Sequence, residues 1–237
     1  MKIYNGDCVE FLRKISPVKC LFADIFDNIG MKYGGFDDKK MSREDYYHWV
    51  RLLILEALPK CSVFWLCYNN LHDLEISYIL RDILKYRHPS FEPNKYIWRY
   101  TFSQYNDADC AFGYRPLLRL KRFDSIMYPD AIRELSKRQL LGDARAVGPR
   151  VPDNVWSIPR VTGNSYERVD WMPCQLPVAL LERVISFSVS PDEWFIDLLG
   201  GSGSALHAAR KLKMMDKVGI VELDAYSCSR IAGILPY

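Results

Sequence analysis

Apolar and polar positions along the chain alternate between two periods, and they predict strands and helices in turn. Lys2–Tyr4 reads as a short strand, and apolar Val9, Phe11, Leu12 and Ile15 predict a helix over 7–15. A second strand spans 18–23. Ser42 opens a long amphipathic helix that ends at Pro59, with Ser42 and Asp45 at the ends of an imperfect capping box. "SVFWLCY" (62–68) is an unbroken apolar run of strand length, as expected where both sheet faces are covered. A helix over 71–86 and strands over 95–102 and 117–121 follow. Between 123 and 170 the periodicity fades and Pro, Gly and Arg accumulate, apart from a short helix near 130–140. Regularity returns with a helix at 177–188, a strand at 194–199, a helix at 203–213, a strand at 217–223 and a last helix. Strand–helix alternation at both ends predicts an α/β doubly wound, mostly parallel sheet carrying an insertion. The core is expected in 1–122 and 171–237, and the inserted module in 123–170.

Charge sharpens that division. The net charge of the 237-residue chain is only +3, yet residues 113–168 hold eleven Lys or Arg against six acids. A basic stretch on a near-neutral body suits either a phosphate-binding groove or a solvated face. Seven scattered cysteines without a C-x-x-C pair argue against a disulfide framework or a zinc site and for a reducing cytoplasm. No apolar run reaches the length of a membrane helix, and "MKIYNGDCVEFL" carries polar residues too early for a signal peptide. No histidine has a partner spacing that indicates a metal or a triad; His48, His72 and His88 are expected near helix or loop surfaces.

The stretch "FIDLLGGSGSALHAARKL" (195–212) is the richest in chemistry. A buried strand ends on Asp197, the turn Gly200-Gly201-Ser202-Gly203 follows, and a helix begins at once. Glycines there permit a tight turn and close ligand approach to a helix N-terminus. The next strand ends on Glu222, at the spacing from which an acid accepts ribose hydroxyls. A Walker lysine is missing after Gly203, which argues against phosphate cradling. Near the other end, the 18–23 strand runs into Asp24, then Ile25, Phe26 and a second acid, Asp27, before a loop containing Gly30, Gly34 and Gly35.

These residues carry a resemblance. D-x-x-x-G-S-G followed by V-E-L-D resembles the S-adenosylmethionine site of DNA amino-methyltransferases. "MPCQLPVALLERVI" (172–185) is similar to the segment that precedes that site, and "GDCVEFL" (6–12) to an N-terminal cofactor-contacting turn. "FADIFDNIG" (22–30) aligns with the family's "ADPPYNIG". The order, with catalytic motif first, target recognition second and cofactor motif last, is that of the beta class. The resemblance implies a Rossmann-like methyltransferase fold with a seven-stranded type of sheet, S-adenosylmethionine as cofactor and double-stranded DNA as partner. A compact chain without a nuclease partner domain suits a solitary bacterial or phage enzyme, and dimerisation is common in the group that it resembles.

Carried over by position, Asp24 would be catalytic, Asp7 would face the adenine side of the cofactor, and Asp197 its methionine end. Gly201, Ser202 and Gly203 would line it, and Glu222 would hold the ribose. The family's acid and a following carbonyl, here Asp24 and Ile25, accept the two N–H bonds of the target amine. Its aromatic residue stacks on the flipped base. This chain departs from the pattern there: the prolines are Ile25 and Phe26, and the aromatic is Asp27, which cannot stack. Phe26 or Tyr33 could supply a ring instead. Adenine is the expected target because the loop begins with Asp; a modified or pyrimidine base, or a non-catalytic DNA-binding relative, are the alternatives. Leu198-Leu199 and Leu176 replace the family's Pro-Phe and lysine. "PCQ" (173–175) matches the nucleophile motif of enzymes acting on ring carbon, but it precedes the cofactor motif, so Cys174 is expected to be structural. The arginines from Tyr114 onward and through 123–170 would contact phosphates, with Tyr128, Trp156 and Tyr166 packing locally or wedging beside the base.

Overall fold

A computed structural model describes residues 3–33, 36–38, 41–101 and 107–234. Gly34 and Gly35 of the first loop lie outside them.

The fully apolar runs become the inner strands of one sheet because each is covered on both sides. That sheet has eight strands: β1 (Ile3–Asn5), β2 (Val18–Asp24), β5 (Cys61–Cys67), β6 (Phe91–Arg99), β7 (Tyr114–Arg122), β8 (Val155–Ser157), β9 (Phe195–Asp197) and β10 (Val218–Glu222). Their order is β1-β10-β9-β2-β5-β7-β6-β8. A separate two-stranded ribbon pairs β3 (Lys32–Tyr33) with β4 (Phe36–Asp37). The neighbours from β1 to β5 pair in parallel, while β7 is antiparallel to both β5 and β6.

Side chains alternate across the central strands, so two cores form back to back. Cys20 and Phe22 of β2, with Val63, Trp65 and Cys67 of β5, face one core. There they meet helices α5 (Val178–Ser188) and α6 (Ser204–Lys211). Leu21, Ala23, Phe64 and Leu66 face the other, under α1 (Cys8–Lys14), α2 (Arg43–Ala57) and α3 (Asp73–Tyr86). The short α4 (Lys137–Leu140) lies within the basic stretch, and α7 (Ala225–Ala232) follows β10. Two indoles of this core have their N–H bonds satisfied: Trp65 donates to Ser188 Oγ at 2.8 Å and Trp98 to the Ile158 carbonyl at 2.9 Å.

Local signals set the helix starts. Asp7 accepts from the amides of Val9 and Glu10, both at 2.9 Å, and Ser42 Oγ accepts from Asp45 N at 3.1 Å. The imperfect box therefore functions as a cap. The helix expected near 130–140 is instead a 3-10 turn at Pro129–Ile132 and the separate α4. The strand expected from 95 begins at Phe91.

The basic stretch is not a free appendage. It supplies β8 as the outermost strand, and Trp156 within β8 is 1% exposed among Trp65, Tyr96 and Phe187 of the core. Trp156 therefore packs and cannot wedge beside a base, whereas Tyr166 is 91% exposed. Two further expectations are corrected. Arg115 and Arg119 do not face a DNA backbone: the half-buried Arg115 is held by Asp24 and Asp27 at the end of the sheet, and the buried Arg119 packs over the rings of Tyr96 and Phe187. His72 is buried rather than at the surface, because it ties the first loop to α2.

Candidate active site

The parallel strands β1, β10, β9, β2 and β5 end in Asn5, Glu222, Asp197, Asp24 and Cys67, all at one edge of the sheet. Ligands of open α/β sheets bind at that edge. A cavity of about 500 Å³ opens there. Asp24, Asp27 and Arg115 stand at one part of its wall, and Asp7, Gly201 and Glu222 at another, with apolar Phe26, Trp49, Met172, Leu198 and Leu199 also lining it. Two stretches nearly two hundred residues apart thus share one chamber.

The glycine turn is held by backbone geometry. Gly201 has φ +51° and donates its N–H to Glu222 Oε2 at 2.8 Å. The other oxygen of Glu222 accepts from Asp224 N at 2.9 Å. A Cβ on Gly200 would sit 2.0 Å from Ile220 Cγ2, so the turn needs glycine there to lie against β10. Asp197, Ser202 and Gly203 stand behind the cavity wall rather than on it. Asp197 accepts from Leu199 N at 3.2 Å, and Ser202 Oγ meets Ser204 Oγ at 3.0 Å. Gly203, at φ +80°, makes room for Ile234. Burial pushes the Asp197 carboxyl up from 3.8 to about 7.

The first loop is anchored differently. The Ile25 amide donates to the Cys67 carbonyl at 3.0 Å, continuing the pairing of β2 with β5 for one residue beyond the strand. The Phe26 carbonyl accepts from the Tyr46 hydroxyl at 2.8 Å, and the Phe26 ring lies 4.7 Å from that of Trp49. Asp27 is buried, and its carboxylate accepts from Asn69 Nδ2 at 3.0 Å and from both terminal nitrogens of Arg115 at 3.0 and 3.2 Å. The Asp27 carbonyl can only accept, so His72 Nε2 carries the proton at 2.8 Å and His72 Nδ1 accepts from Tyr47 at 2.9 Å. Asp38 receives the amides of Ile29 and Gly30.

Arg115 also donates to Asp24 Oδ1 at 3.0 Å. Burial raises the Asp24 carboxyl above its usual range and Asp27 adds to that, while Arg115 opposes it. The Cys174 thiol lines the same cavity but is pushed up by burial, the opposite of what a nucleophilic thiolate needs. Sequence reasoning missed Arg115, Asn69 and Trp49. The one available signal was Asp27 itself, since an acid in an apolar loop requires a cation or several donors when buried.

Residues 18–231 match the model of a DNA methylase family, the N6/N4 methyltransferases. The chain belongs to this family. Its members are S-adenosylmethionine-dependent DNA amino-methyltransferases. The chain is 27% identical over 238 residues to the type II methyltransferase M.ScaI of Streptomyces caespitosus, covering 88% of this chain and 73% of that one. It is 28% identical over 271 residues to the DNA adenine methyltransferase YhdJ of Escherichia coli K12, covering 98% and 86%. Its fold is similar to that of the cytosine-N4-specific PvuII DNA methyltransferase, with a TM-score of 0.70 at 12% identity over 99% of this chain and 86% of that one. The M1.HpyAVI–SAM complex is likewise similar, with a TM-score of 0.61 at 14% identity over 99% of both chains.

The wall of the cavity suits such a cofactor. Carboxylates of Asp7, Glu222 and Asp224 offer acceptors for hydroxyls and attraction for a cation, and Leu198, Leu199 and Met172 offer apolar surface for a purine. Among the described residues no helix is long and apolar enough to cross a membrane.

Proposed function

We propose that this methyltransferase acts on the exocyclic amine of a base extruded from double-stranded DNA, adenine at N6 ahead of cytosine at N4. One observation carries the reading: Asp24 shares a chamber with Glu222, Gly201 and Asp7. Preference for adenine rests on the acid that opens the loop and on the 28% identity to a DNA adenine methyltransferase.

S-adenosylmethionine supplies an electrophilic methyl group on a cationic sulfur. Glu222 and Asp7 hold the cofactor's nucleoside part. Gly201 faces its amino-acid end, and Asp197, Ser202 and Gly203 act from behind the wall by holding the turn that presents Gly201. Asp24 accepts one N–H of the target amine and the Ile25 carbonyl accepts the other, which aims the nitrogen lone pair along a single line. A strong base is unnecessary while the amine attacks; Asp24, its affinity for protons increased by burial, stands ready for the proton that leaves afterwards. Asp27 is engaged by Arg115 and Asn69, and Phe26 by Trp49 and Tyr46, so Tyr33 on the cavity wall is the ring offered to the base. Exposed Tyr166 and the outer arginines of 123–170 approach the duplex.

The test is mass spectrometry of nucleosides from unmethylated DNA incubated with the protein and S-adenosylmethionine. N6-methyladenine is expected. N4-methylcytosine would overturn the base assignment, and a lack of methylated nucleoside on DNA of varied sequence would overturn the activity.

A further inference from the structure

The prolines that would stiffen the loop after Asp24 are absent, yet the loop is not left loose. A single guanidinium, from a strand ninety-one positions away, reaches both of its acids. Arg115 Nη2 lies 3.0 Å from Asp24 Oδ1 and 3.0 Å from Asp27 Oδ1, and Nη1 lies 3.2 Å from Asp27 Oδ2. Asn69 Nδ2 fixes Asp27 from the other side at 3.0 Å. The Arg115 side chain is 14% exposed, so its charge is held largely away from water. A charge in such a place persists only when paired, and here two carboxylates share it.

We propose that Arg115 is a positioning residue for methyl transfer, which orients the Asp24 carboxylate and keeps it ionised, with Asp27 as the anchor that places the guanidinium. This rests on the function proposed above, and it explains why an acid occupies the aromatic position of the loop. Asp27 does not read the base; it holds the cation that holds Asp24. The planar fork matters because one nitrogen must bridge two carboxylates while the second fixes the plane.

Several titratable groups surround Asp24 besides Asp27 and Arg115. Cys67 of β5 is its neighbour across the strand pair, and Asp197 at the end of β9, raised by burial to about 7 with Asp24 adding to the rise, is charged only above that value. Tyr33, Tyr46, Tyr100 and Cys174 face it from the ribbon, α2, the end of β6 and the segment before α5. Burial raises all four, so they remain neutral through the working range. Arg115 is therefore the cation on which the ionisation of Asp24 depends.

Removing the two partners of Asp24 should move its titration in opposite directions. Arg115→Met leaves two facing acids without a cation, so the acid limb of the pH–rate profile shifts to higher pH. Asp27→Asn removes a like charge at constant shape while its amide oxygen still accepts from Arg115 and keeps the guanidinium on Asp24, so the limb shifts to lower pH. Arg115→Met is expected to lower kcat about 100-fold with S-adenosylmethionine affinity within about twofold of the parent. Arg115→Lys should restore the position of the limb but only part of the rate. The same titration is read without turnover by NMR of the protein labelled with carboxyl-13C aspartate, with Asp24→Asn giving the assignment. Opposite shifts of the Asp24 resonance support the proposal even on a substrate that is not methylated. Unmoved limbs and resonances in Arg115→Met and Asp27→Asn would overturn it, while absence of transfer by the parent protein would overturn only the assigned activity. If Arg115→Met fails to fold, the isosteric Asp27→Asn still decides: an Asp24 titration unchanged in that variant ends the proposal.

Discussion

The two ends of the cavity are built by different means. At the Glu222 end, carboxylates bind backbone amides: Glu222 takes Gly201 N and Asp224 N, Asp7 takes Val9 N and Glu10 N, and Asp197 takes Leu199 N. At the Asp24 end, side chains bind side chains across the chain: Arg115 to Asp24 and Asp27, and Asn69 to Asp27. Backbone-built sites constrain residue types at fixed spacings, so they leave a motif. Side-chain-built sites constrain only partners in space, and they can change their residues together while keeping the geometry.

The largest effect expected at either end is that of Asp24→Ala. It should lower the single-turnover rate about 1,000-fold while cofactor affinity by calorimetry stays nearly unchanged; equal loss of both would assign Asp24 to binding instead. Next comes the rebuilt loop Ile25→Pro, Phe26→Pro, Asp27→Tyr. It loses the Ile25 N–H bond to the Cys67 carbonyl and strips Arg115 of one of its two acids. Unfolding in urea should show a loss of about 3 kcal/mol, with a slower enzyme. A rebuilt loop that is faster and equally stable would mean that the ionic anchor contributes nothing.

The Glu222 end gives a smaller effect with a definite pH sign. Burial raises Asp197 from 3.8 to about 7, so the folded protein holds a proton that the unfolded chain has already released. Between those values folding takes up a proton, and this group's contribution to stability falls as pH rises; above about 7 the cost is complete. Asp197→Asn keeps an acceptor for Leu199 N and removes the charge. Its melting temperature should exceed the parent's at pH 8, with the gap closing toward pH 4. The smallest effect lies outside the cavity. Arg138 and Arg145 in the basic stretch are both engaged by Asp143. Asp143→Asn should free them and steepen the salt dependence of DNA binding without altering the rate at saturating DNA.

The same contrast explains what was legible in the sequence. Periodicity located the strands and helices of the core on either side of 123–170, apart from the short β3–β4 ribbon, because each apolar run answers to one or two sheet faces. The glycine turn and Glu222 were legible because a short spacing encodes them. Arg115 was not: in sequence it is one cation among eleven, and only the strand pairing Cys67 with Leu117 brings it beside Asp24. Trp156 and β8 were hidden for a similar reason, lying in a stretch without periodicity whose few core residues dock at the sheet edge. His72 looked like a surface residue because its partners, Tyr47 and the Asp27 carbonyl, are distant in the chain.

The central claim is that both ends serve one transfer, with the methyl carbon facing position 24. A crystal structure of the protein with bound S-adenosylmethionine measures this directly. The ribose hydroxyls are expected on Glu222 and the sulfonium methyl turned toward the Asp24 carboxylate. A cofactor seated with its methyl pointing away from Asp24, or bound outside this cavity, would contradict it.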